Sequence, residues 1–370
     1  MAKITCGLAL DCIKRLKDGH MLMGGAGSQG FVRLVSRELD LLMPADWEGE
    51  KLFISLPFKL AKTAWETLGS SFEVVREGTR LSFRSGQIEL KLSPVPEIPS
   101  MLTWGKKQAV IECDAAKLKR AFDVIAAYAS FESSRYTGSG SMLPFAIEIR
   151  EGLRTYFAQS NGAYLVEVEG EPSDQSDPLT LSAEFAPILA HLCAVAETVL
   201  VEIRKPVVAF AFYPANLVAT ILTLHQRVAD PAKLEAKAVG PTEICKGDEL
   251  KQALEALPVG SNVVWVTKAG SVVSLQTSDS EIEATYQFQT DSSLDGQITI
   301  GVPPALTKLL NEVPDATVEL DRTGPEETSA FVRIRTENVK FWIPPSLPSQ
   351  PRIQSDSSSE GSNEETPKTK

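Results

Sequence analysis

Residues 25–30, "GAGSQG", carry the G-x-G-x-x-G spacing of a loop that cradles a pyrophosphate. That loop works when a strand precedes it and a helix opens at the third glycine, so that the helix dipole and unpaired N–H groups meet the anion. Here a helix-like stretch (residues 8–18) and a short "MLM" come first, and "FVRLVSRELDLLMP" follows, which alternates about as well as it winds. The context is wrong for a nucleotide, and the segment reads as a glycine-rich loop between strands. A nucleotide-dependent enzyme would have to bind NAD or ATP measurably.

Other reactive constellations are missing. His20, His191 and His225 are far apart, and no G-x-S-x-G elbow, H-E-x-x-H pair, P-loop or EF-hand loop occurs. The five cysteines (Cys6, Cys12, Cys113, Cys193, Cys245) are odd in number and include no C-x-x-C, which fits reduced thiols in a cytosol better than disulfides or zinc. The expectation is a non-catalytic protein with no cofactor and no metal.

Charge is the chemistry that remains. Lys14, Arg15 and Lys17 fall on one predicted helix, Lys59 and Lys62 on a second, and Lys117, Lys119 and Arg120 within one turn of a third; Lys251 and Lys308 lie on later ones. Each helix must bury one apolar stripe, so these cations project from its wet face. Such a face is also what any solvated helix shows. Much of the acid (Glu48, Glu50, Glu73, Glu167, Glu169, Glu281, Glu283) falls on strands and loops.

The elements that carry these cations repeat. "LFISLPFKLAK", "LTLSAEFAPIL" and "ITIGVPPALTK" align without gaps, each alternating like a strand before switching to helical spacing. Pro57, Pro187, Pro303 and Pro304 lie at or near the first turn, where a missing N–H costs nothing. Upstream of each sits a strand, a polar breaker and an amphipathic helix: "ITCGLALDCIKRLK", "IECDAAKLKRAFDVI" and "EICKGDELKQALEAL". Downstream of each comes a strand meander turning on Gly, Pro and Asn. Three trios in one order predict an α+β chain of three tandem copies, at 1–106, 107–238 and 239–346. Residues 347–370 are too poor in apolar side chains to fold alone.

The whole chain of 370 residues is acidic, at net −11, and the last twenty residues carry three basic and four acidic side chains, leaving −10 on the body. Any contact with nucleic acid must therefore come from a local basic surface. If the helices all lie on one side of the sheets, that side is basic and the other acidic. No apolar run is long enough to span a bilayer, and the N-terminus lacks a signal-peptide pattern.

Three copies of two helices and strand meanders resemble the bacterial sliding clamp, the beta subunit of DNA polymerase III. In the middle copy, "AAKLKRAFDVIAAYASFESSRYTGSG" resembles that family's first helix and its Ser-Arg-(Pro or Tyr) loop. "LRTYFAQSNGAYLVEVEG" is similar to its A-T-D-G-x-R-L segment, "VKFWIPPSL" to its closing M-P-M-R strand, and "LSPVPEIP" to its acidic Phe-Pro segment. The resemblance covers nearly the whole chain before the tail, with no motif intact. It implies a clamp-type module of two helices packed on strand meanders, three to a chain, forming half of a closed ring. Two chains join head to tail, a rotation that closes rather than growing a filament. The helices line the hole and duplex DNA is held through its phosphates, independently of sequence. Localisation would be cytoplasmic, on the nucleoid.

The resemblance also implies a peptide pocket for polymerase, clamp loader and other partners. Its walls would be Ser160, Gly162, Ala163, Tyr164 and Leu165 from the turn, Lys233 and Leu234 from "RVADPAKLE", and Phe341, Ile343, Pro344, Pro345 and Ser346 from the end. Any of these apolar residues could equally be core or seam packing. Asn161, Tyr164 and Ser346 stand where the family has Asp, Arg and Arg, and Ala229 where it has Pro, so the peptide preference differs. Arg135 and Tyr136 resemble residues that reach toward DNA, the tyrosine to stack on a base, although Arg135 could be an ion-pair partner. A scaffold of the same fold that threads no DNA would share every feature except the function of the basic faces.

Overall fold

The computed structural model describes residues 1–5, 7–93, 102–135, 143–159, 162–231, 241–258, 263–278, 283–322 and 330–345. The expected tail from 347 onward lies outside them.

One element order recurs three times. The first copy runs β1 (Ala2–Thr5), α1 (Gly7–Arg15), β2 (His20–Val35), β3 (Leu39–Pro57), α2 (Phe58–Leu68), β4 (Ser71–Glu77), β5 (Arg80–Ser85) and β6 (Ile88–Leu92). The second runs β7 (Ala109–Asp114), α3 (Ala115–Arg135), β8 (Pro144–Ile149), β9 (Leu153–Gln159), β10 (Gly162–Val168), β11 (Gly170–Pro172) and β12 (Leu179–Ser182). It continues with α4 (Ala186–Cys193), β13 (Thr198–Arg204), β14 (Val207–Tyr213) and β15 (Leu217–Leu222). The third runs β16 (Thr242–Lys246), α5 (Gly247–Ala256), β17 (Val264–Ser278), β18 (Glu283–Val302), α6 (Thr307–Glu312), β19 (Thr317–Arg322), β20 (Ala330–Arg335) and β21 (Val339–Ile343).

Local chemistry sets the helix ends. Asp114 Oδ1 accepts the Lys117 N–H at 2.9 Å at the start of α3, and the Glu249 carboxylate accepts the Lys246 N–H at 2.9 Å at the start of α5. In α2 the buried Phe58, Ala61, Ala64, Trp65 and Leu68 recur every three or four residues and form the face laid on the sheet. Helix α1 ends at Arg15, so Lys17 lies beyond it rather than on it.

The copies join edge to edge. In an 11-stranded sheet, β15 pairs with β3 of the first copy, Ala219 opposite Leu41. In an 8-stranded sheet, β10 pairs with β21 of the third, Tyr164 opposite Phe341. Strands β17 and β18 make a separate two-stranded sheet. One buried apolar cluster runs through all three copies, from Ala2 to Ile343. No helix among the described residues is long and apolar enough to cross a membrane.

The glycine-rich segment is not a loop between strands. It lies inside β2, where the register against β3 shifts on either side of Gly27. A Cβ on Gly25 would stand 2.4 Å from the buried indole of Trp47, and one on Gly30 would stand 2.8 Å from the Trp47 Cβ. These glycines make room for a tryptophan under a folded-back strand, which is a packing demand and not a phosphate cradle.

Candidate functional site

The helices among the described residues meet one another in a row, in the order α2, α1, α4, α3, α6, α5. Lys62 Nζ of α2 donates to the Leu16 carbonyl just past α1 at 2.8 Å. His191 of α4 stands 3.7 Å from Asp11 of α1, and Lys17 stands 3.8 Å from Glu184. Helix α3 packs on α4 within its own copy and on α6 across the next seam, where Lys308 Nζ donates to Ser130 Oγ at 3.1 Å. Helix α6 packs on α5.

The expected cations all sit on this row or at its edge, but they are not alike. Lys14, Arg15 and Lys59 are exposed and make no ion pair among the described residues. Lys117 binds Glu169 closely, Lys119 pairs with Asp123 at 2.6 Å, Arg120 with Asp315 at 3.1 Å, and Lys251 with Glu255 at 3.9 Å. The Glu169 contact raises the Lys117 pKa, and Asp123 raises that of Lys119. Burial also raises the pKa of Glu312 and of Glu184, both among these helices, from the ordinary carboxylate value. The basic surface is therefore partly neutralised by acids on the same face. Arg135 closes α3; its side chain and Tyr136 lie outside the described residues.

At the seam of the second and third copies, β10 and β21 lie side by side, so the turn region and the closing strand do meet. Strand alternation then divides their residues between two faces. Tyr164, Phe341 and Ile343 point into the main core at 2%, 0% and 1% exposure, and so cannot wall an open pocket. Tyr164 stacks among aromatic rings, 4.8 Å from Tyr128 and 6.1 Å from Phe157 between centroids. Full burial raises its phenol pKa well above the ordinary value. Gly162, at φ +148°, sits where a Cβ would meet Tyr128 Oη at 2.7 Å, so a side chain there would be strained.

Ala163 and Leu165 take the opposite face. There they form a second apolar cluster with Trp342, Tyr156 and Ala146, against which Ala158, Val228 and Phe331 pack. Sequence reasoning passes over Tyr156, Val228 and Trp342. The alternation in "LRTYFAQ", which sets Tyr156 opposite in sense to Phe157, is the signal that could have found the first. Pro344 and Pro345 follow β21, half-buried. Ser160, Lys233, Leu234 and Ser346 lie outside the described residues.

A charged network borders the cluster. Arg154, 11% exposed, reaches the almost fully buried Glu148 at 2.5 Å, Glu167 at 3.4 Å and Asp230 at 3.5 Å. Its guanidinium lies 5.6 Å above the Tyr156 ring, whose phenol pKa is pushed up to about 12, mainly by burial. A cleft of about 820 Å3, lined by Glu148, Arg150, Arg154, Glu167 and Asn338 among others, opens beside it.

No family model matches the sequence, and no curated protein matches it. The fold does match. The beta subunit of DNA polymerase III from Thermotoga maritima superposes with a TM-score of 0.75 at 15% identity, over 94% of this chain and 100% of that one. The beta subunit from Pseudomonas aeruginosa gives 0.73 at 14% identity over the same shares. A DNA polymerase sliding clamp from Pseudomonas aeruginosa gives 0.72 at 15% identity, over 92% of this chain and 96% of that one. The chain therefore has the fold of the DNA polymerase III beta subunit, the sliding clamp: tandem α+β modules whose helices meet one another from copy to copy.

Proposed function

We propose that this chain is a DNA sliding clamp, a non-catalytic processivity factor. Two chains would join head to tail into a ring of six modules, three per chain at 1–106, 107–238 and 239–346. The observation that supports the reading is the helix row, which in a closed ring would form one continuous inner wall. Lys14, Arg15 and Lys59 stand on it as free phosphate contacts, with Lys17, Lys62, Lys117, Lys119, Arg120, Arg135, Tyr136, Lys251 and Lys308 as further candidates. Phosphate contacts carry no sequence information, so DNA held this way can slide.

The two ends of the chain support closure. Strand β6 is the edge of its sheet and carries Ile88 at 45% exposure, while the separate β17–β18 pair carries Val272 at 38% and Tyr286 at 37%. Apolar side chains at strand edges are what a head-to-tail contact covers. A polymerase, a clamp loader and other partners would be tethered at the seam of the second and third modules, at the half-buried Pro344 and Pro345, with the buried Ala163 and Leu165 packed beneath. Gly162, Ser160, Lys233, Leu234 and Ser346 belong to the same neighbourhood by sequence. Tethering raises the effective concentration of the polymerase at the primer end.

The test is the mass of the native protein in solution. A chain of 40.2 kDa with three modules requires a dimer of twice that mass to make a six-module ring. A monomer at all accessible concentrations removes the ring and leaves the scaffold reading.

A further inference from the structure

The first and third modules bend their long hairpins alike but fill the bend differently. Strand β2 against β3, and β17 against β18, each shift register at a glycine of positive φ, Gly27 at 65° and Gly270 at 60°. The two bends align residue for residue. Gly25 pairs with Leu52 and Lys268 with Ile298, the first residues of two of the repeated segments. In the first module Gly25 leaves room for Trp47, which stands two residues before Gly49, the partner of Gly27. In the third the large and small positions are exchanged. Lys268 stands where Gly25 does, and Ser292, two residues before Leu294, the partner of Gly270, stands where Trp47 does.

Lys268 is 1% exposed, and its ammonium has an acceptor for each proton. It donates to the β16 carbonyls of Glu243 at 3.1 Å and Ile244 at 2.9 Å, and to Ser292 Oγ at 2.5 Å. Strand β16 is itself irregular there, its register against β19 shifting between Glu243 and Cys245. Burying a charge is costly, and an aliphatic chain of that length would fill the same space, so the ammonium is kept for its acceptors. The bend also exchanges the faces of β17. Val264, Val266 and Lys268 are buried before Gly270, and Val273, Leu275 and Thr277 after it, which turns Val272 outward to 38% exposure.

We propose that Lys268 is a positioning residue for ring closure. By clamping the bend of β17–β18 to β16, it sets the angle at which the far half of that hairpin, with Val272 and Tyr286, meets a second copy of this chain. This rests on the reading of those residues as part of the head-to-tail contact. Among the described residues the hairpin shares no ladder with either larger sheet. Its angle therefore depends on side chains: Val264, Val266, Val273 and Leu275 in the core, and Lys268 at the bend. Apolar packing is non-directional, whereas the ammonium fixes three acceptors drawn from two strands.

The test is the dimer dissociation constant of the full chain by sedimentation equilibrium, for the parent, Lys268→Met and Ser292→Ala. Methionine keeps the length and loses the donors, and is expected to weaken the dimer by about tenfold or more. Ser292→Ala removes one acceptor and is expected to weaken it by about threefold. Amide hydrogen exchange in both variants rises across residues 270–277 and 284–291, while β19–β21 and the first two modules keep their protection. If Lys268→Met does not fold, Ser292→Ala decides by the same readings. A dimeric parent with unchanged constants in the variants overturns the clamp at Lys268 and leaves the ring standing. Exchange that also rises through β19–β21 overturns it too, because Lys268 then only holds the fold. A parent that stays monomeric removes the ring and this role together.

Discussion

Arg120 of α3 lies 3.1 Å from Asp315, which follows α6, so the cation is spent on a contact between two modules. Lys117 is likewise tied to Glu169. Lys14 and Arg15 of α1 have no such partner among the described residues, and they are where phosphate contact is expected to be strongest.

Reversing Lys14 and Arg15 together to Glu is expected to weaken retention on DNA and to lower the slope of log K against log salt by roughly two per chain. Reversing Lys117 and Arg120 changes the slope less and lowers the melting temperature, because it sets like charges against Glu169 and Asp315. Equal slopes for the two pairs would place the DNA contacts elsewhere.

Tyr164→Ala empties a ring-lined core position, and by analogy with other large-to-small core changes it costs about 3–5 kcal/mol. Urea unfolding checks this. Loss of peptide binding in that variant reflects lost fold; Pro344, half-buried just past β21, is the better probe of the outer surface.

Gly25→Ala drives a methyl group into the Trp47 indole and is expected to destabilise by about 1–3 kcal/mol. Titration of the parent with NAD and ATP is expected to give flat curves. A saturable response would revive the glycine fingerprint as a nucleotide site.

Much of this was legible in the residues. Alternation followed by a proline and a helical period located α2, α4 and α6, and the meanders fell where Gly, Pro and Asn punctuate the chain. The faces of β10 and β21 were not, because one residue of register exchanges Tyr164 for Leu165, and register is set by the partner strand. Trp47 could not be seen to explain Gly25 and Gly30, since the contact depends on how β2 bends. Nor could the ion pairs of Arg120 and Lys117, whose partners lie far along the chain.

Glu312 is a pH handle on the helix row. Burial, and then Asp123, raise its pKa above 4.5, with Lys119 and Arg120 opposing. The fold therefore favours its protonated form: that stabilisation is present below 4.5 and is lost as pH rises through the raised value. Glu312→Gln is expected to raise the melting temperature at pH 7 by about 1–2 °C, discounted for partial exposure, and to leave it unchanged near pH 4. A loss of stability at pH 7 would mean the carboxylate serves Lys119 and Arg120 more than burial opposes it.

Threading is tested most directly by topology. The protein is incubated with a nicked circular plasmid and a bacterial clamp loader, free protein is removed, and the plasmid is cut once. A ring around the duplex stays on the circle and is lost when an end is made. Protein that remains equally bound after cutting, or that never loads, is held by surface contacts and does not encircle DNA.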